Sequence, residues 1–242
     1  MKEIQTVYGN IYILSRDQIF QRIIQIIQQL CAKKNGPFTI GLPGGSTPKE
    51  FYRWVVAKNI LKPYLLTQII WMTSDERYVP LENHESNFGN ADRLMLYPLG
   101  VTQNKKHPWK VVVSPQEAAE DYNNFFPPNT CFDLCILGMG DDCHIASIFP
   151  HSPLIHKNPV ENFAAIDVPG KDTRLTITPN GLRRSSNILI IVTGKAKNQA
   201  LKTVLEDSYD PKTKPAQLNK EWAKKVTWLV DNEAASKLSA QM

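Results

Sequence analysis

The segment 138–150, which reads GMGDDCHIASIFP, places two carboxylates and a histidine directly after an apolar run. That run, Phe132 to Leu137, is typical of a buried strand. Two glycines allow a tight turn, and a loop at the carboxyl end of a strand faces the ligand crevice of an open α/β sheet. His144, with Asp142 two residues before it, therefore has the side chains needed for proton transfer near neutral pH.

Two other interpretations of this segment have to be weighed. A lone loop histidine is more often a surface or packing residue, so the functional interpretation needs support from other segments. The spacing of Gly138 and Gly140 also approaches a dinucleotide-binding fingerprint. We exclude that fingerprint because its third glycine is missing and because Asp141 and Asp142 would place negative charge where a pyrophosphate must bind.

A second segment, 41–48, reads GLPGGSTP and predicts a strand, a glycine turn and the start of a helix. Backbone N–H groups at Gly44 and Gly45 can approach a phosphate closely, and the helix end adds partial positive charge. Ser46 and Thr47 can donate from their hydroxyls. The segment lacks the Gly-Lys-Ser/Thr of a Walker loop. An ordinary tight turn before a well-capped helix is an equally good interpretation of this segment alone.

Charged side chains at the ends of other expected strands could complete such a site. Asp75-Glu76-Arg77 follows a strand directly, and three adjacent charges are costly to bury unless they are paired or bound to a ligand. Arg174 belongs to a strand with alternating apolar and polar residues and could point into a crevice. Lys197 lies near a helix start and could reach the same phosphate. Each alone is more often a surface residue, but together they suit a phosphorylated substrate.

Length and composition limit the class of protein. The chain has 242 residues, of which 42% are hydrophobic, and this favours one α/β domain over residues 1–242. Four cysteines without the spacing of a secreted scaffold indicate a reducing, cytoplasmic setting. The net charge of +5 is spread along the chain, so we expect no nucleic-acid partner, and no apolar run is long enough for a membrane span. Whether the chain forms a homo-oligomer stays open.

Short apolar runs alternate with helical patterns, which predicts a parallel or mixed sheet flanked by helices. Ser15, Thr47 and Ser114 each stand three residues before a Gln or Glu, the pattern of a capping box at a helix start. Residues 208–220 are expected to form a long loop, and Asp231 to cap a terminal helix. The expected strands are 37–42, 68–73, 132–137, 163–168, 173–178, 188–192 and 226–230, and a further helix is expected at 194–205.

Taken in order along the chain, these segments resemble the 6-phosphogluconolactonase family. The family is part of a wider group that includes glucosamine-6-phosphate deaminase. The resemblance implies a single α/β domain with a modified Rossmann-like, mostly parallel sheet flanked by helices. It also implies hydrolysis of 6-phospho-D-glucono-1,5-lactone to 6-phospho-D-gluconate in the oxidative pentose phosphate pathway, with no cofactor and no metal. The segments that carry it are 41–48, 75–77 with Ser86 and Asn87, 138–151, 174–178 and 193–197.

The resemblance implies a role for each candidate residue. His144 would take a proton from the attacking water and return it to the ring oxygen, and Asp142 would orient the imidazole. Arg77, or the N–H groups of the glycine loops, would stabilise the tetrahedral oxyanion, and Asp75 would bind sugar hydroxyls. The expected phosphate-binding residues are Gly44, Gly45, Ser46, Arg174 and Lys197, with Thr47 as a further substrate-binding residue.

Two alternatives stay open: a glucosamine-6-phosphate deaminase or isomerase, and a non-catalytic sugar-phosphate sensor. The deaminase carries a glutamate a few residues after the histidine, where this chain reads Ser147-Ile148-Phe149-Pro150. The arginine after Asp75-Glu76 likewise follows the lactonase pattern.

Cys143, where the family usually has glycine, is the only feature that favours the sensor. If that position needs a positive φ, cysteine there costs on the order of 1 kcal/mol or more, and the loop could be shaped differently. We do not expect Cys143 to be a nucleophile, or to bind a metal with His144 and His151.

Overall fold

The computed structural model describes residues 2–157 and 159–239, and its central feature is a seven-stranded sheet. Six neighbouring strands run parallel, and only β1, at one edge, runs antiparallel to its neighbour β2. The expected mostly parallel α/β architecture is therefore confirmed. In spatial order the strands are β1 (Lys2–Thr6), β2 (Gly9–Leu14), β10 (Val226–Asp231), β9 (Ile188–Val192), β6 (Leu134–Gly138), β3 (Phe38–Leu42) and β4 (Ile69–Thr73).

The strand order reverses between β3 and β6. The next strand of this sheet after β3 is β4, on one side, whereas the next after β6 is β9, on the other side. Loops that leave the carboxyl ends of two such strands diverge to opposite faces of the sheet and open a crevice between them. The segments after β3 and β6 are the glycine turn 41–48 and the histidine segment 138–150, in both of which the sequence indicates chemistry.

A second, antiparallel sheet of three strands contributes to the same end of the molecule. It consists of β5 (Asp75–Arg77), β8 (Arg174–Ile177) and β7 (Phe163–Ile166), in that order. The strands at 163–168 and 173–178 were expected, but their separate sheet and its pairing with residues 75–77 were not. All four residues of β8 are buried: Leu175 and Ile177 lie in the apolar core, and the polar face with Arg174 and Thr176 is covered as well.

Helices flank the large sheet, and their first residues test the capping patterns. Capping boxes at Ser15 and Ser114 are confirmed, whereas the one expected at Thr47 is wrong. The prediction of a loop over residues 208–220 is also wrong in part, because a 3₁₀ helix, Pro215–Lys225, begins inside this range. The α-helices are α1 (Arg16–Ala32), α2 (Ser46–Lys58), α3 (Pro63–Gln68), α4 (Asn87–Ala91), α5 (Pro115–Phe125), α6 (Pro153–Lys157), α7 (Pro179–Arg184) and α8 (Asn198–Glu206).

Shorter helical turns complete the described chain. A π-helical turn, Asp92–Leu96, continues α4, and the 3₁₀ turn Lys195–Lys197 precedes α8 at the expected 194–205 helix. The terminal helix is a 3₁₀ turn, Ala234–Lys237, and the Asp231 carboxylate accepts a hydrogen bond from the backbone of its first residue, as expected. A further 3₁₀ turn is Gln103–Lys105.

The apolar core lies on both faces of the large sheet. Successive residues of β9 alternate between the two, with Ile190 in one cluster and Leu189 and Ile191 in the other. All five residues of β9 are buried, which explains why parallel strands appear in the sequence as unbroken apolar runs. Among the described residues, no helix combines the length and apolar composition needed to cross a membrane.

Two glycines in neighbouring strands give a test of the packing. A Cβ added at Gly41 would lie 2.6 Å from the ring of Phe132, which is fully buried against other aromatic rings. A Cβ at Gly138 would meet no atom within 4 Å. We therefore expect Gly41→Ala to lower the free energy of unfolding by about 1–3 kcal/mol, and Gly138→Ala to change it by about 0.5 kcal/mol or less. Urea denaturation of both variants measures this, and equal losses would contradict the packing described.

Candidate active site

A cleft of about 220 Å³ opens at the reversal point between β3 and β6. It brings together residues from the ends of β3, β4, β6 and β9 and from the second sheet, so segments far apart in the sequence share one wall. The side chains and turns that line it are Pro43, Gly44, Gly45, Ser46, Thr47, Pro48, Ser74, Asp75, Arg77, Asn87, Gly138, Met139, Gly140, His144, Ala146, Ile191, Thr193 and Lys197.

The amino end of α2 forms one part of the wall. Gly45 precedes the helix with φ of 109°, a conformation that favours glycine, and no side chain caps the helix start. The Thr47 hydroxyl instead bonds to the hydroxyl of Thr193 at 2.6 Å, and Glu50 pairs with Arg16 at 2.6 Å. Because no side chain accepts from its first N–H groups, the helix end can offer them to an anion in the cleft.

Gly44 packs against the side chain of Asn87, to which the sequence analysis assigned no role. A Cβ there would lie 1.9 Å from Oδ1 of Asn87, so any larger residue would displace the amide. Asn87 is buried, and its Nδ2 donates to the backbone oxygen of Asp75 at 2.9 Å. The glycine turn, α4 and the second sheet therefore meet at this one side chain.

Glu76 anchors α4 rather than facing the cleft. Its fully buried carboxylate accepts from the backbone N–H groups of Arg77, Asn87 and Phe88 and from the Ser86 hydroxyl. Burial raises the pKa of Glu76 to about 7, and the three backbone hydrogen bonds act in the opposite direction. The burial of the Glu76 carboxylate is thus tolerated because its oxygens are hydrogen-bonded, mainly to the start of α4.

Asp75, from the same triplet, lines the cleft. Ser147, in the histidine loop, donates to its Oδ2 at 2.8 Å, and the Ser147 backbone N–H donates to the Thr176 hydroxyl at 3.1 Å. The loop after β6 is therefore fastened to β5 and β8 at one residue. The carboxylate keeps further lone pairs that can accept hydroxyl groups of a ligand.

His144 is oriented by the carboxylate expected for it. Nδ1 lies 2.5 Å from Oδ1 of Asp142, and the ring packs on Phe149 with centroids 4.4 Å apart. Burial raises the pKa of Asp142, but the hydrogen bonds and charge of His144 outweigh it and leave that pKa below its usual value. With Nδ1 occupied, Nε2 is the nitrogen left for a ligand.

Gly140 makes room for this pair. A Cβ there would lie 2.0 Å from Nδ1 of His144 and 2.4 Å from Oδ1 of Asp142.

The backbone of the histidine loop is left-handed at Cys143, where φ is 67°. Cys143, which stands where the resemblance implies glycine, therefore has a backbone conformation that favours glycine. The thiol is buried, lies 3.7 Å from the backbone oxygen of Ala200, and burial raises its pKa to about 11. Ala146 and His151 also have positive φ, and the backbone of Ala216 donates to the Cys143 oxygen. The thiol packs against α8 and does not line the cleft.

The three candidate cations occupy different positions. Lys197 and Arg77 line the cleft, and Arg77 also donates to the backbone oxygen of Glu85 at 2.7 Å. Arg174 lies directly opposite Arg77 across β5 and β8, donates to the backbone oxygen of Asp172, and is not part of the cleft wall. Burial, followed by the charge of Arg77, lowers the pKa of Arg174. Arg77 and Lys197 thus line the cleft, whereas Arg174 lies beside Arg77 and does not itself line it.

Sequence reasoning missed several residues of the wall. Thr193 follows an all-apolar strand, and a polar residue at that point is the one signal that could have indicated it. Ser74, directly after β4, has the same signal, and Ile191, within β9, has none. Within residues 2–157 and 159–239, no three His, Cys, Asp or Glu side chains are grouped closely enough to hold a metal ion.

Comparison with known proteins assigns the family. The model for the family described as glucosamine-6-phosphate isomerases/6-phosphogluconolactonase matches residues 15–228. The chain belongs to this family. A 6-phosphogluconolactonase of Synechocystis is 32% identical over 216 residues, which are 85% of this chain and 86% of the relative.

Solved structures of the family share the fold. The structure of the 6-phosphogluconolactonase from Trypanosoma brucei matches with a TM-score of 0.81 and 22% identity, over 98% of this chain and 100% of that one. A monomeric glucosamine-6-phosphate deaminase matches almost as well, with a TM-score of 0.78 and 17% identity, over 93% of this chain and 98% of that one. Backbone similarity therefore does not separate the two activities, and the side chains of the cleft must do so.

The left-handed backbone at Cys143 predicts an unusual order of stabilities. At this position Cys143→Gly should be more stable than Cys143→Ala by about 1 kcal/mol, because alanine keeps the Cβ strain whereas glycine releases it. At Cys135, in regular strand β6, the order should be reversed. Thermal or urea unfolding of the four variants gives both differences, and an alanine variant as stable as glycine at 143 would contradict the conformation described.

Proposed function

We propose that the protein hydrolyses 6-phospho-D-glucono-1,5-lactone to 6-phospho-D-gluconate. The observation that carries the proposal is the shared cleft: His144, held by Asp142, lines the same cavity as the uncapped end of α2 and Lys197. The first pair suits proton transfer, and the second suits a phosphate dianion. The names of the relatives agree with this substrate.

The phosphate binds at the α2 end of the cleft in this proposal. The backbone N–H groups of Ser46 and Thr47 point out of the first helical turn, and Gly45 allows close approach. Lys197 supplies a full positive charge, and no hydrogen bond or ion pair within the described part of the chain engages its ammonium group. Arg174 does not line the cleft, so this proposal is built without it, and its assignment to the phosphate site stays a prediction from the sequence.

Hydrolysis starts at the other end of the cleft. Neutral His144 accepts a proton at Nε2 from a water molecule whose oxygen attacks the lactone carbonyl carbon. The Asp142 carboxylate holds Nδ1–H and stabilises the imidazolium that forms. The Arg77 guanidinium, or the N–H groups of the glycine turns, stabilises the oxyanion of the tetrahedral intermediate.

Ring opening completes the reaction. The bond between the carbonyl carbon and the ring oxygen breaks, and the imidazolium returns its proton to that oxygen, which becomes a hydroxyl group. The new carboxylic acid ionises in water. Asp75, fixed by Ser147, accepts hydrogen bonds from the sugar hydroxyls and sets the ring between the phosphate and the imidazole.

The two alternative functions have less support. Phe149, not an acidic side chain, packs against the His144 ring, and this favours lactone hydrolysis over deamination of glucosamine 6-phosphate. The sensor interpretation depended on Cys143, whose backbone keeps the conformation that glycine would take. Release of ammonia from glucosamine 6-phosphate, or binding of 6-phosphogluconate without turnover, would favour one or the other.

Removal of the proposed base tests the chemistry. We expect His144→Gln to lower kcat by about 10²- to 10⁴-fold, after correction for spontaneous hydrolysis, because no other group in the cleft replaces the imidazole. Binding of 6-phosphogluconate, measured by calorimetry, should change little. His151→Gln is the matched control, since His151 is on the same loop at positive φ but outside the cleft. Turnover close to the wild-type value in His144→Gln would exclude His144 as the base.

Removal of the Lys197 ammonium group tests the proposed phosphate binding. Lys197→Ala should raise KM by about 10- to 100-fold, because it removes a charge-assisted hydrogen bond to the phosphate, and kcat should change less. Lys195→Ala is the control, since Lys195 is exposed on the same 3₁₀ turn and does not line the cleft. Equal KM values in the two variants would remove Lys197 from the phosphate site.

A further inference from the structure

A buried carboxylate lies behind the phosphate end of the cleft without lining it. Asp231, at the end of β10, is 7% exposed. It accepts from the Gly194 backbone N–H at 2.9 and 3.0 Å, from the Ala234 backbone N–H at 2.8 Å and from the Arg16 guanidinium at 3.2 Å. Three donors on three separate segments therefore meet at one side chain.

The contact with Gly194 reaches the cleft through the backbone. Gly194 has φ of 89° and begins the 3₁₀ turn Lys195–Lys197, and its oxygen accepts from the Lys197 backbone N–H at 3.0 Å. A glycine with no side chain and a positive φ has many alternatives, so an external bond is needed to fix this turn. The Gly194 N–H, which donates to both oxygens of the Asp231 carboxylate, supplies that restraint and so sets where Lys197 enters the cleft.

Arg16 joins this carboxylate to the opposite wall. One nitrogen of its guanidinium donates to Asp231, and another donates to Glu50 of α2 at 2.6 Å. The Thr47–Thr193 hydroxyl contact joins the same two walls on the side that faces the cleft. Hydrogen bonds thus join the uncapped end of α2 to the segment that carries Lys197 both inside and outside the cavity.

The positive charge of Arg16 has a second effect. An unpaired carboxylate so close to a phosphate site would repel the dianion and weaken its binding. Pairing with Arg16 offsets that charge while the carboxylate keeps its bonds to Gly194 and Ala234. The pair can therefore hold the turn without opposing the ligand.

We propose that Asp231, paired with Arg16, is a positioning residue that holds Lys197 and the Gly194 turn in register with the α2 end for binding a phosphate dianion. This inference rests on the proposed function for the identity of the ligand. Asp231 touches neither the reacting atoms nor the cleft, so it acts through Lys197. Its loss should change the affinity for phosphorylated ligands and leave proton transfer at His144 in place.

Asp231→Asn is the first test, and Asp133→Asn is its matched control. Asp133 is also a carboxylate that bonds a backbone N–H, that of Thr39 at 2.8 Å, and a cation, Lys34, but it lies at the amino ends of the strands. Both variants lose comparable bonds and should lose comparable stability. We expect only Asp231→Asn to raise KM for the lactone, by about tenfold, with kcat within about threefold of wild type.

Other outcomes overturn the inference. An unchanged KM in Asp231→Asn, the same KM rise in Asp133→Asn, or a fall in kcat at constant KM would each show that Asp231 does not act through the phosphate site. If Asp231→Asn does not fold, Arg16→Gln decides, because it keeps the carboxylate and removes only its pairing cation. Its KM should then rise more at low salt than at high salt, since an unpaired charge is screened by ions, and a salt-independent KM equal to wild type contradicts the proposal.

Calorimetry with inorganic phosphate and with 6-phosphogluconate separates this inference from the proposed function. A wild-type protein that binds both ligands without lactonase activity, together with weaker binding in Asp231→Asn, would contradict the function and support the positioning role. Full lactonase activity with unchanged phosphate affinity in Asp231→Asn would do the reverse. A wild-type protein that binds neither ligand would overturn both.

Discussion

The reversal of strand order between β3 and β6 is the constraint on which the site depends. It sends the following segments to opposite faces of the sheet and leaves the amino end of α2 and the histidine loop on either side of one crevice. An uncapped helix end and an imidazole–carboxylate pair thereby share a cavity although they are far apart in the sequence. Every role proposed here for a side chain follows from that arrangement.

The second constraint is local and concerns backbone strain. Cys143, Ala146 and His151 all have positive φ within one loop, a conformation that costs energy for residues with a Cβ. Contacts from elsewhere hold the loop, including the Ser147 bonds to Asp75 and Thr176 and the backbone bond from Ala216 to Cys143. The result is an imidazole whose Nδ1 is held by Asp142 before substrate arrives, which is the preorganisation that acid–base catalysis requires.

The sequence predicted five of the seven strands of the large sheet, because parallel strands buried on both faces leave unbroken apolar runs, but it missed β1 and β2 at one edge. It also predicted the contact between His144 and Asp142, because the two residues are close together in the sequence. The capping box expected at Thr47 is wrong, because the Thr47 hydroxyl bonds to Thr193, a residue 146 positions away that no local pattern reveals. The position of Arg174 likewise depends on a long-range contact: its strand pairs with β5 in a separate sheet, and that pairing places it opposite Arg77.

The orientation of the ligand is the central claim, and a crystal structure of the protein with 6-phosphogluconate tests it most directly. The account predicts the phosphate at the N–H groups of Ser46 and Thr47 and at Lys197, with the new carboxylate within hydrogen-bond reach of Nε2 of His144. The opposite orientation, with the phosphate between Arg77 and Arg174 and the carboxylate at α2, would contradict it.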